Sequence, residues 1–92
     1  MNSPPAANRE TIEAALRQAL HPSVIEVQDD SHLHAGHAGA SEGRHFSVRI
    51  TSARFTGCSR LARHRLVYDA LRLLMPAGIH ALAIEAHAPD EQ

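Results

Sequence analysis

Two alternating apolar segments with a helical segment between them constrain the fold more than any other feature of this 92-residue chain. From His45 to Ser52, Phe46, Val48 and Ile50 alternate with Ser47, Arg49 and Thr51, the period of a strand with one buried face. From Ile79 to His87 a second strand pattern puts His80, Leu82 and Ile84 on one face, read as the core side, and Ile79, Ala81 and Ala83 on the other. Between them Ser59 is a candidate cap for a helix running to about Met75, with Leu61, His64, Val67, Tyr68, Leu71, Leu74 and Met75 near one stripe. A short separate turn around Ser59 to Ala62 can open that helix, Phe55-Thr56-Gly57 makes a turn before it, and Pro76-Ala77-Gly78 stops it. A strand–helix–strand unit requires a parallel strand pair joined by a right-handed crossover.

The first half supplies the remaining elements. Asn8 can cap a helix with Glu10 in its first turn, and Ile12, Leu16, Ala19 and Leu20 fall on one side. His21-Pro22 ends it, because the residue before a proline avoids helical angles. Val24 to Asp30 reads as a strand antiparallel to the next, and residues 31–43 form a long Gly-, Ala- and His-rich loop between the two. The expected fold is α+β: a sandwich of a three-stranded mixed sheet with helices on one face. Residues 1–8 read as a flexible N-terminal tail, 9–88 as the folded domain and 89–92 as a C-terminal tail.

Length and composition narrow the function classes. Apolar residues at 43% and charged residues at 21% describe one globular domain. A single cysteine, Cys58, rules out an internal disulfide, and no signal peptide or membrane span is present, so a cytoplasmic protein with no membrane partner is expected. No paired-carboxylate site, nucleophile triad, phosphate loop or dinucleotide fingerprint occurs, which points to a binding protein and not an enzyme. Charge is unevenly spread: residues 1–43 carry two arginines against six acids, whereas residues 44–72 carry seven arginines against Asp69 alone.

Two residue groups have chemistry to offer. Eight histidines are several times the usual share, and His32, His34 and His37 crowd one loop while His80 opens the last strand. Imidazole ligates zinc, copper and iron, yet without a cysteine pair these residues better suit a metal held partly by another protein. A hydrogen-bonded core histidine at 80 and solvated loop histidines are the plainer alternatives. The second group, Arg60, Arg63 and Arg65 at the start of the helix, can meet phosphate or simply pair with acids on a solvated face. Gly36-His37-Ala38-Gly39 matches the GxxG of RNA-binding KH domains, but lies between strands, while Gly57-Cys58-Ser59-Arg60 keeps only the first glycine.

The segments Glu26-Val27-Gln28-Asp29-Asp30-Ser31, His45-Phe46, Phe55-Thr56-Gly57, Arg63-His64-Arg65-Leu66-Val67-Tyr68 and Gly78-Ile79-His80-Ala81-Leu82-Ala83-Ile84, in this order and spacing, resemble the BolA family over roughly residues 9–90. The resemblance implies a class II KH-like fold of order αββααβ. It also implies a monothiol glutaredoxin partner and a [2Fe-2S] cluster shared with that glutaredoxin and glutathione, none being expected in the isolated chain. Carried onto this sequence, the strand ligand is His80 and the loop ligand is His34, three residues after Ser31, with His37 and His32 as rivals. Cys58 lies outside the ligand loop and is not assigned. Relatives are also described as transcription regulators in stress response and cell shape. That makes DNA a second expected partner, met by the helix–turn–helix-like stretch from Phe55 to Leu74 through Arg60, Arg63 and Arg65. A homodimer is compatible with either role.

Overall fold

The computed structural model describes residues 6–31 and 44–91. The chain runs through α1 (Arg9–Leu20), β1 (Val24–Asp29), β2 (Arg44–Thr51), a 3-10 turn at Ala53–Phe55, α2 (Arg60–Ala70), a second 3-10 turn at Met75–Ala77 and β3 (Ile79–His87), ending in a third at Pro89–Glu91. β2 is the central strand, antiparallel to β1 and parallel to β3. The parallel pair demanded by the strand–helix–strand pattern is thus present, and the sheet is mixed. Where the family order has a short helix before α2, this chain has the three-residue turn Ala53–Phe55.

Local chemistry sets the boundaries. The Asn8 side chain accepts from the Thr11 N–H at 2.8 Å and the Thr11 hydroxyl accepts from the Asn8 N–H at 2.9 Å, a reciprocal box that satisfies the first orphan donors of α1. Asn8→Ala is expected to cost about 1 kcal/mol of stability, read as a lowered urea midpoint at unchanged m-value. His21 closes α1 in a left-handed conformation at φ 46°, its N–H donating to the Arg17 carbonyl at 3.1 Å, a C-cap placed directly before Pro22. Ser59 accepts from the Ala62 N–H at 3.1 Å and caps α2 as its position suggested.

The core lies between the sheet and both helices. Ile12, Leu16 and Leu20 of α1, Val67 of α2, and Leu71 and Leu74 just beyond it meet Phe46, Val48 and Ile50 of β2, with Phe55 closing one end. Full burial of such side chains contributes roughly 1.5–3 kcal/mol each. The opposite face of the sheet, which carries His45, Ser47 and Arg49 from β2 by alternation, is left open.

Three expectations need correction. The second helix stops at Ala70 and not near Met75, because Leu71 leaves helical geometry at φ −104°, ψ 10°, and the approach to Pro76 is made through turns. Leu61 and Tyr68 of the expected stripe are exposed, since α2 turns its Arg63, Leu66, Val67 and Ala70 side inward. Finally, the fold extends beyond 9–88 at both ends. Ala7 is buried and its N–H donates to the Ala77 carbonyl at 3.3 Å, while Glu91 is bound to Arg63.

Candidate functional site

The open face of the sheet and the start of α2 carry the residues that chemistry singles out. Arg44 pairs with Ile79 and His45 with Ala81, so β3 has one extra residue, His80, at a bulge. A bulge re-aims side chains. Ile79 goes into the core, and His80 is exposed, with its ring 5.3 Å from that of His45, centroid to centroid, at a tilt of 56°. Period-2 reasoning put His80 on the core side with Leu82 and Ile84. The inserted residue breaks that phase: Ile79 is buried in the core and Leu82, Ile84 and Ala86 pack against it, while His80 is left outside.

His80 sits beside a polar clasp that joins the two ends of residues 32–43. The Ser31 N–H donates to Asp29 Oδ1 at 2.9 Å, the Arg44 guanidinium meets Asp29 Oδ2 at 3.3 Å, and the His45 N–H donates to Ser31 Oγ at 3.2 Å. Asp30 N–H donates to the His45 carbonyl at 2.7 Å, and Arg44 N–H to the Gly78 carbonyl at 3.0 Å, tying the clasp to the residue before β3. The Ser47 hydroxyl donates to Asp30. The Asp29-Asp30-Ser31 and Arg44-His45 segments are therefore held together at the end of the sheet that carries His80. His34, the loop ligand expected from the sequence, lies outside the described residues, as do His37 and His32. His45 was missed by the sequence reading. Its signal was present: an outward position on β2, one residue before Phe46 and across from the start of β3. Among the described residues, no three His, Cys, Asp or Glu side chains converge as a metal site.

Further along the open face, Arg49 lies between Glu26 at 3.6 Å and Glu85 at 3.3 Å, and His87 Nε2 stands 3.0 Å from Glu85. The hydrogen bond from His87 and then the charge of Arg49 lower the pKa of Glu85 below its usual range. The face is thus a polar, charge-paired surface floored by Ser47 and Ala83.

The three arginines at the start of α2 do not act alike. Arg63 is drawn into the fold, with only 12% of its side chain exposed. Its Nε donates to the Cys58 carbonyl at 3.0 Å, and one terminal nitrogen donates to the Ala86 carbonyl at 3.2 Å. Both terminal nitrogens bind the Glu91 carboxylate, each at 2.5 Å. This two-pronged pair is the strong form of the Arg–carboxylate contact. Arg63 is therefore an internal clamp between α2, β3 and the C-terminal turn, and is removed from the set that can meet phosphate. Arg60 and Arg65 are exposed. Cys58, Arg60, Arg63 and His64 also line a groove of about 360 Å³ against Ile84, Glu85, Ala86 and His87 of β3. The stretch from Phe55 to Leu74 holds one α-helix behind a turn, not two helices.

The clamp makes stability depend on pH. Hydrogen bonds from Arg63 and then from the Ala88 N–H hold the Glu91 pKa down to about 2 from its ordinary 4.5, and Glu91 in turn raises that of Arg63. A carboxylate with a depressed folded-state pKa stabilises the fold fully above its unfolded value and loses that contribution as pH falls through the folded one. The urea midpoint of the wild type is expected to drop between about pH 4.5 and 2, whereas Glu91→Gln lowers it already at neutral pH and flattens the acid limb. Equal slopes for the two proteins would remove Glu91 as the cause.

These observations define a small α+β domain whose sheet packs with one face and offers the other for contact. Comparison with known proteins supplies the family. The family described as BolA-like protein matches residues 16–91, and the chain belongs to it, as the motif series predicted. It is 41% identical over 83 residues to the DNA-binding transcriptional regulator BolA of Escherichia coli, covering 90% of this chain and 77% of that protein. It is 47% identical over 80 residues to BolA-like protein 1 of Mus musculus, covering 87% of this chain but only 57% of the mouse protein. The BolA domain of SufE1 from Arabidopsis thaliana superposes with a TM-score of 0.82 at 42% identity, covering 96% of this chain and 99% of that domain. BolA1 from the same plant gives 0.81 at 36% identity, covering 96% and 98%. No helix among the described residues is long and apolar enough to cross a membrane.

Proposed function

We propose that this chain is a non-enzymatic adaptor that binds a monothiol glutaredoxin and shares with it the ligation of a [2Fe-2S] cluster, in cluster trafficking or in iron and redox sensing. The cluster is cargo, held jointly while the two proteins are together. The observation that carries this reading is the exposed imidazole of His80, turned out of the core by a bulge, beside His45 and beside the clasp that gathers the ends of the histidine-rich segment 32–43. One strand histidine plus a histidine from that segment, His34 before His37 or His32, leaves the remaining iron positions to the thiolates of glutaredoxin and glutathione. Imidazole in place of thiolate raises a cluster's potential, which suits one that is sensed or handed on. The test is to add the chain to a monothiol glutaredoxin carrying a glutathione-ligated [2Fe-2S] cluster and follow visible circular dichroism. A new spectrum with a one-to-one complex is expected; an unchanged spectrum would end the proposal.

A second reading has its own support. Arg60 and Arg65 are exposed and form no ion pair among the described residues, and the Escherichia coli relative is named a DNA-binding transcriptional regulator. A salt-dependent mobility shift on duplex DNA that is lost in Arg60→Ala/Arg65→Ala, with Arg63 left intact, would favour it. Absence of any shift at moderate salt would exclude it.

A further inference from the structure

The arginines of this chain are sorted by position. Among the described residues, Arg9, Arg17, Arg44, Arg49 and Arg63 each lie within 4 Å of a carboxylate. Arg54, Arg60, Arg65 and Arg72 do not, and all four are exposed on or next to α2. The apolar surface is sorted in the same way. Leu61, Tyr68 and Leu73, exposed by 59%, 41% and 70%, lie on α2 or in the turn after it, and Val24 is the one other large exposed hydrophobic residue described.

The two sets coincide on one surface. Leu61, Arg65 and Tyr68 stand at i, i+4 and i+7, so they share a helix face, and Arg72 continues the spacing in the turn beyond Ala70. Val67 and the half-buried Arg63, Leu66 and Ala70 occupy the opposite side. Asp69, the only acid of α2, is exposed at the edge of the face and pairs with none of these arginines among the described residues. A solvated arginine face needs no apolar residues within it. A phosphate backbone would use the arginines but leave Leu61 uncovered. A protein surface with carboxylates around an apolar centre answers both, and arginine and tyrosine are the residues that dominate such contacts.

We propose that the outer face of α2, made by Leu61, Arg65, Tyr68 and Arg72, docks a partner protein through an acidic amphipathic segment. The carboxylates of that segment pair with Arg65 and Arg72, and its apolar side chains cover Leu61 and Tyr68. This face lies on the helix layer, whereas His45 is on the far side of the sheet. The domain can therefore hold one partner at each surface at once, and the α2 site does not depend on the glutaredoxin reading.

A short blocked helical peptide with leucines at i, i+3, i+4 and i+7 and glutamates elsewhere is the probe, titrated against the full chain while backbone amide shifts are followed. Saturable shifts centred on Leu61, Arg65, Tyr68 and Arg72 are expected. Affinity should fall about tenfold or more in Arg65→Ala/Arg72→Ala, and as much in Leu61→Ser/Tyr68→Ser. All four positions are exposed, so both variants should keep the wild-type far-ultraviolet spectrum and thermal midpoint. No saturable shifts, or shifts centred elsewhere, would overturn the proposal. It would equally fall if duplex DNA bound this face with an affinity untouched by Leu61→Ser/Tyr68→Ser, which marks a phosphate surface. Self-association abolished by the same substitutions would also overturn it, by assigning the face to a second copy of the chain.

Discussion

His80→Ala is expected to leave the fold intact and to abolish the change in visible circular dichroism that the wild-type chain produces on a cluster-loaded glutaredoxin. The asymmetry follows from where the residue sits. Its side chain is exposed, so truncation opens no cavity, and no hydrogen bond that holds β3 to β2 passes through the imidazole. Stability should change by no more than about 0.5 kcal/mol, as at other surface positions. A cluster ligand, in contrast, has among the described residues no substitute at that bulge except His45. His45→Ala therefore makes the informative comparison. If His80 ligates and His45 only flanks it, the first variant loses the spectrum and the second retains it. If both lose it equally, the pair acts as a unit. If neither does, the cluster is not held at this end of the sheet. His34→Ala and His37→Ala, tested in the same assay, then assign the ligand from the segment 32–43.

That His80 had to be corrected shows where sequence reasoning ends. The extent of β3, Ile79–His87, was legible because its apolar residues alternate. A bulge adds a residue without leaving a trace in that alternation, for the pattern on either side of Ile79-His80 remains hydrophobic in both phases. The same limit applies to α2. Its apolar stripe includes Leu61 and Tyr68, yet the side turned inward is the one that carries Leu66, Val67 and Ala70, together with Arg63 and its four hydrogen bonds to Cys58, Ala86 and Glu91. Glu91, the partner of Arg63 on that inward side, lies 28 residues downstream in what composition read as a tail. Caps and breakers, by comparison, act within four residues. Asn8, Ser59 and His21-Pro22 did what their local chemistry required.

Phe55→Ala is expected to cost about 3–5 kcal/mol, read as a large drop in the urea midpoint, and to blur the amide spectrum of α2 before that of α1. Phe55 is fully buried and ends the 3-10 turn that Ser52 caps, two residues before Gly57, whose φ of 78° turns the chain into α2. No other residue between the end of β2 and the start of α2 enters the hydrophobic core. Losing the ring therefore removes the one apolar anchor of the crossover connection, while Ser52, buried and donating to the Leu20 carbonyl at 2.6 Å, still ties the end of β2 to α1. A domain of this size has a stability of only about 5–15 kcal/mol, so the variant stands near the edge of folding. Phe55→Leu keeps most of the volume and should cost far less. A Phe55→Ala protein that unfolds in one step, with α1 and α2 losing protection together, would show that the crossover is not a separate weak point. In that case the loss belongs to the whole core and not to the docking of α2.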